Sequence, residues 1–203
     1  MWVADLGLLV IFAIMIDRED INNAVAALRS GGVIVYSTDT VWGIGCDATN
    51  SAAVRRVFEI KRRADAKALI SLVSDEAMLE RWVNDIPDVA YDLIAAAVKP
   101  MTIVYDHPTG LAPELLAEDG SAAIRVTGDS FCQALCRALR KPLVSTSANI
   151  SGDSTPECFA QISEEILDAA DYVAQSRRNE PASAKPSSVI KLGSGGLITV
   201  IRP

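Results

Sequence analysis

The sequence holds a single histidine, His107, among its 203 residues. That scarcity excludes a multi-histidine metal centre and the HExxH pattern of metalloproteases. Any Ser-His-Asp or Cys-His arrangement would depend on His107 alone. His107 sits in DHPTG, which reads as a surface turn. No GxxxxGK(S/T) occurs, so there is no P-loop. Basic charge is also short: 19 Lys and Arg face 26 Asp and Glu, for a net charge of -7. Broad duplex binding works by neutralising many phosphates, so this balance weighs against it and leaves room only for a local basic pocket. No CxxC is present among Cys46, Cys132, Cys136 and Cys158. Cys132 and Cys136 fall one helical turn apart, and the four read as free thiols in a reducing compartment rather than a disulfide framework.

Long apolar runs are missing too. The stretch Leu6–Ile16, LGLLVIFAIMI, is about half of what spans a bilayer. No Lys or Arg precedes it and no small-residue cleavage site follows, so it lacks the marks of a signal peptide. Met15 begins IDREDINNAVAALRSGG, which reads well as a start. The expectation is an apolar N-terminal extension or mis-assigned start over 1–14, and one domain over 15–203. No membrane association is expected. Apolar residues at 50% and charged residues at 22% describe an ordinary globular chain. Folding at this length buries roughly 70% of the unfolded surface, enough for a core without staples.

Helix and strand patterns mix along the chain. A helix should begin near Asp17, Glu19 and Asp20, carry Ile21, Val25 and Leu28 on one face, and stop at Gly31-Gly32. A second should begin at Ser51. Further helices are expected over Glu76–Val83, Val89–Ala97, Phe131–Arg140 and Glu164–Ala170. Strands are expected over Val33–Tyr36, Ala68–Val73, Met101–Tyr105, Ala122–Thr127, Pro142–Ser145 and Tyr172–Ala174. Ser188–Leu192 and Leu197–Ile201, joined by GSGG, suggest a closing hairpin, while Ser176–Lys185 reads as a loop. No internal repeat stands out. The order implies an α/β (α+β) domain around a mixed twisted sheet.

Three polar clusters interrupt these elements. Ser37-Thr38-Asp39-Thr40 follows the first strand and precedes Trp42-Gly43-Ile44-Gly45. It stands where open α/β sheets bind ligands, although the same residues also make turns. Lys61-Arg62-Arg63, with Lys67 beyond, follows a helix. It suits phosphate oxygens, and equally a solvated helix C-terminus. Ser145-Thr146-Ser147-Ala148-Asn149 follows a strand, where hydroxyls and an amide can serve a ligand or cap a turn. Hydroxyls and cations without a general base suit phosphate chemistry run by positioning and charge neutralisation.

Together these segments resemble the YrdC-like family, the threonylcarbamoyl-AMP synthases. GGVIVYSTDTVWGIGCDA is similar to the family's GG-strand-PTETVYGLG, KRRADAKALISLV to KGRPxxKPLIVHV, and STSANISG to SAN-x-SG. AIRVT, SSVIKL and the terminal IRP are similar to AVRMP, STVVDL and LRPG, so the resemblance covers 15–203. It implies a twisted mixed sheet with flanking helices and a concave nucleotide-binding cavity. It implies a cytoplasmic nucleotidyltransferase that converts L-threonine, bicarbonate or carbon dioxide, and ATP with Mg2+ into threonylcarbamoyl-AMP and pyrophosphate. A tRNA-modifying transferase complex would then use the product. By the same resemblance Lys61 and Arg63 would be catalytic and, with Thr102, Ser147, Asn149 and Arg202, would bind ATP. Thr38, Thr40, Arg125 and Ser187 would bind threonine, and no protein metal ligand is implied. Departures from the pattern are Ser37 for proline, Trp42 for tyrosine, KPMT for WPGPLT, and PASAKPSSV where an acidic residue usually precedes the serine. The form expected is the single-domain one. The family also leaves open a noncatalytic nucleotide- or double-stranded-RNA-binding paralogue, with weak RNA binding.

Overall fold

The computed structural model describes residues 18–62, 69–180, 186–193 and 197–203. The apolar run Leu6–Ile16, with the extension expected over 1–14, lies outside them, as do Arg63 and Lys67.

A helix, α1, runs through residues 18–29 and closes at Gly31, whose φ of 82° is the left-handed turn that stops it. Strand β1 (Ile34–Tyr36) follows, fully buried as its apolar sequence dictates. The next element, β2 (Gly43–Gly45), was not among the expected strands. It pairs antiparallel with β1 on one side and with β6 (Leu143–Ser147) on the other. Glycine makes this possible, because a Cβ on Gly45 would stand 1.7 Å from the Val144 carbonyl oxygen. A three-residue strand with two glycines therefore joins the halves of the sheet.

Helix α2 (Ser51–Ile60) is capped by Asn50, whose side chain accepts from the Ala53 N–H, and buries Ala53, Val54 and Val57. Then come β3 (Ile70–Val73), the short α3 (Glu76–Leu79), α4 (Asp88–Ala96), β4 (Met101–Tyr105) and β5 (Ala122–Val126). The helix expected over 76–83 stops at Leu79 and finishes as turns. Helix α5 (Ser130–Leu139) starts on the Asp129 cap and ends at Arg140 in the left-handed conformation. Next are α6 (Glu164–Ala169), the two-residue β7 (Tyr172–Val173), β8 (Ser188–Leu192) and β9 (Ile198–Arg202).

The strands form one mixed sheet in the order β7-β1-β2-β6-β3-β5-β4-β8-β9. Pairs β1–β7, β3–β5 and β4–β8 are parallel, and the others antiparallel. The hairpin β8–β9 closes one edge, as GSGG suggested. Trp42, Ile44, Leu72, Ile103, Ile124, Leu135 and Val144 fill the core. Both β6 and β9 outrun their expected ends, and in each case a partner strand is the cause. Gly43 and Ile44 pair with Ser147 and Thr146, and Val189 pairs with Arg202. Strand termini set by a neighbour carry no local signal. Among the described residues no helix is long and apolar enough to cross a membrane.

Candidate functional site

The turn after β1 is built around one hydroxyl. Thr38 Oγ1 donates to the Val41 carbonyl at 2.7 Å and accepts from the N–H groups of Thr40 and Val41 at 3.0 and 3.1 Å. Thr40 Oγ1 lies 2.9 Å away. STDT is thus a turn held by its own threonine, and both threonines are buried. Between them Asp39 projects to Arg125 on β5, with Oδ1 3.0 Å from Nη2. The Arg125 side chain is only 3% exposed, and its Nε has no hydrogen-bond partner among the described residues. A buried guanidinium with one free donor can still take an anionic group.

Thr102 of β4 continues the row of Arg125, since the register pairs Ile103 with Ile124. The row goes on through Val189 of β8 to Arg202 of β9. Thr102 Oγ1 meets Ser187 Oγ at 2.8 Å. Arg202 Nε donates to the Ser187 carbonyl at 2.9 Å, and its Nη2 lies 3.4 Å from Ser187 Oγ. Burial, and then the charge of Arg125, pull the Arg202 pKa below its ordinary value. The register sets both guanidinium-bearing residues in one row across the sheet with Thr102 in the same row, a placement that suits an anionic ligand.

The third group surrounds the end of β6. Lys61, the residue that caps α2, is 1% exposed. Its Nζ donates to the carbonyls of Ser147 and Asn149 at 2.5 and 2.8 Å. The Ser151 N–H returns a bond to the Lys61 carbonyl at 2.9 Å. Asn149 Nδ2 donates to the carbonyls of Ile150 and Asp153, while its Oδ1 is buried without a partner among the described residues. A solvated helix C-terminus therefore does not describe Lys61. Its ammonium binds the loop that carries Ser147 and Asn149.

Gly43 joins the first group to the third. It pairs with Ser147 across the sheet, and a Cβ there would lie 3.5 Å from Thr38 Cγ2 and 3.3 Å from Ser145 Oγ. The Asp39–Arg125 ion pair joins the first to the second. Three clusters far apart in sequence thus adjoin at one region of the sheet. Arg62, by contrast, points outward to an exposed pair with Glu165 at 2.6 Å. His107 is exposed in its turn.

The other chemistry-bearing side chains are quiet. Burial pushes the Cys136 thiol up to about 12 and holds Cys132 and Cys46 well above the ordinary thiol value, so all three stay protonated. Among the described residues no group of three or more His, Cys, Asp or Glu side chains could hold a metal ion. An open hollow between α3 and α4, lined by Glu80, Asn84, Asp85 and Tyr91, contains none of the expected site residues. Sequence reasoning missed Asp39, which ties the turn to Arg125, and Arg177, which donates to the Thr38 carbonyl and pairs with Asp129. Asp39 lay in plain view within STDT, but Arg177 sat in a stretch that reads only as a polar loop.

The model of the Sua5/YciO/YrdC family, described as "Telomere recombination", matches residues 26–203. The chain belongs to that family. The threonylcarbamoyl-AMP synthase of Xanthomonas euvesicatoria pv. vesicatoria is 36% identical over 189 residues, covering 91% of this chain and 99% of that protein. The Stenotrophomonas maltophilia synthase is 34% identical over 170 residues, covering 82% and 91%. Among solved structures, P. abyssi Sua5 complexed with L-threonine superposes with a TM-score of 0.79 at 25% identity, over 90% of this chain and 53% of that one. This chain thus spans about half the length of that Sua5. E. coli YciO superposes with a TM-score of 0.79 at 26% identity, covering 92% and 89%. The family's mixed sheet with flanking helices is the fold described above.

Proposed function

We propose that the protein is a threonylcarbamoyl-AMP synthase: a cytoplasmic nucleotidyltransferase that makes L-threonylcarbamoyl-AMP and pyrophosphate from L-threonine, bicarbonate or carbon dioxide, and ATP. Support comes from family membership and from relatives of that name matched over nearly their whole length. The observation that carries the reading is the row that holds Arg125, Thr102 and Arg202 across the sheet, with Ser187 Oγ against Thr102 and Arg202 and with Asp39 tying Arg125 to the turn of Thr38 and Thr40.

In this reading the phosphates lie against Arg202, Thr102 and Arg63, and the nucleotide against Ser147 and Asn149. Lys61 holds that last loop in place. The threonine carboxylate takes the free donor of Arg125, close to Ser187, Thr38 and Thr40. The threonine amine attacks the carbon of carbon dioxide and loses a proton, giving a carbamate. A carbamate oxygen then attacks the α-phosphorus, and the bond to the β-phosphate oxygen breaks to release pyrophosphate. Negative charge grows on the phosphoryl oxygens, so fixed guanidiniums stabilise the transition state more than the ground state. Mg2+ would arrive on the triphosphate and neutralise part of its charge. The product would pass to a tRNA-modifying transferase, and residues 15–203 would form the working domain.

The test is threonine-dependent pyrophosphate release from ATP in bicarbonate buffer. Release that requires all three substrates is the expected result. Nucleotide binding without release would instead favour a noncatalytic binding protein of the same fold.

A further inference from the structure

Arg177 lies four residues beyond β7 and grips two elements at once. Its Nη1 is 2.5 Å from Asp129 Oδ2, and its Nη2 donates to the Thr38 carbonyl at 2.5 Å. The Asp129 side chain is 2% exposed and already caps α5 by accepting from the Cys132 N–H. The Cys132 thiol lies 3.6 Å from the Ser37 carbonyl. The backbone entering the Thr38 turn is thus held by α5 on one side and by a guanidinium fork on the other.

The loop that carries Arg177 is itself held. Asp20 of α1 accepts from the N–H groups of Gln175 and Ser176 at 2.9 and 2.7 Å. Arg178 donates to the carbonyls of Ala174 and Val173, both at 2.8 Å, and lies 4.5 Å over the Phe159 ring. Arg177 adopts a φ of 59°, a conformation that a non-glycine residue keeps only where its surroundings over-determine it.

We propose that Arg177 is a positioning residue for the threonine end of the site. Its fork fixes the Thr38–Thr40 turn against the N-terminus of α5. Asp39 is part of that turn and pairs with Arg125, so the fork also sets where the Arg125 guanidinium points. The inference rests on the threonylcarbamoyl-AMP synthase reading. A planar fork can serve a carboxylate and a carbonyl in fixed directions, and a lysine ammonium cannot reproduce both. Among the described residues the partners of the Arg177 side chain are Asp129, the Thr38 carbonyl and Glu180, none of them in the Ser147–Asn149 loop, so the nucleotide end should not respond.

Steady-state pyrophosphate release tests this with threonine and ATP titrated separately. Arg177→Ala should raise the threonine KM about tenfold while the ATP KM moves less than about twofold, the scale of one lost charge-assisted bond. Arg177→Lys should fall between that variant and the native protein. Glu180→Gln, at an exposed carboxylate 3.7 Å from Arg177 Nε, should match the native protein. If Arg177→Ala does not fold, the same split in Arg177→Lys decides the question. Equal rises in both KM values, or a fall in kcat alone, would show a merely structural role and overturn the proposal. No threonine-dependent release from the native protein would overturn the functional reading and this proposal with it. An active native protein with an unmoved threonine KM in the variants would overturn the proposal alone.

Discussion

Replacing Lys61 separates two jobs that one lysine could do. The side chain is 1% exposed and donates to two carbonyls, at 2.5 and 2.8 Å, on the loop of Ser147 and Asn149. Lys61→Met keeps the length and the apolar stem and deletes the ammonium. Each charge-assisted bond is worth about 1.5–3 kcal/mol, so the two together come to roughly 3–6 kcal/mol before offsets. Removing a desolvated cation returns part of that, because burying an ammonium is itself costly. A net loss of about 3 kcal/mol is the expectation, which for a chain of this size lowers Tm by roughly 6–12 °C. The loop should then loosen, and ATP affinity should fall with it. Thermal unfolding of the native protein and the variant, with ATP titrated calorimetrically, measures both. The reasoning fails if Lys61→Met melts within about 1 °C of the native protein yet loses pyrophosphate release by orders of magnitude. That result would put the ammonium on the phosphates instead of the loop.

Three other outcomes are expected. Arg63→Lys should keep the fold and lower catalytic efficiency about tenfold to a hundredfold, because lysine cannot grip two phosphate oxygens. Arg62→Lys, at an exposed pair with Glu165, should change little, and reversed outcomes in steady-state assays would mean that the KxR pair is misaligned. Replacing Cys132 and Cys136 together by alanine should cost about 2 kcal/mol in denaturant unfolding, since both fill the core under α5, and leave the release rate intact. A large rate loss without unfolding would reopen a chemical role for the thiols. Deleting residues 1–14 should leave soluble expression and activity unchanged, because Asp20 already ties α1 to the domain through Tyr172, Gln175 and Ser176. Loss of soluble protein would show that the apolar stretch belongs to the fold.

Several elements were legible in the sequence for local reasons. Met101–Tyr105 and Ser188–Leu192 are apolar, β-rich runs with clear borders, and they form those strands to the residue. The helices from Ser51 and through Phe131–Arg140 showed in their apolar spacing, and the structure adds the Asn50 and Asp129 caps, which accept from N–H groups three residues on. The clusters STDT, KRR and STSAN were visible as polar breaks in apolar surroundings, and their combination pointed to the family. The rest was decided between strands. Gly43 and Gly45 are poor strand residues, and their segment is a strand because β1 and β6 flank it and only glycine fits at 45 beside the Val144 carbonyl. The burial of Lys61, the Asp39–Arg125 pair and the row from Arg125 to Arg202 likewise depend on which strands become neighbours. Arg177 shows the limit most plainly. It meets Thr38 across 139 residues of chain, and its only sequence mark is an arginine in a polar loop. Periodicity and capping act over a few residues and are written locally, whereas a fork that ties a loop to a distant turn exists only once the sheet has set the distance between them.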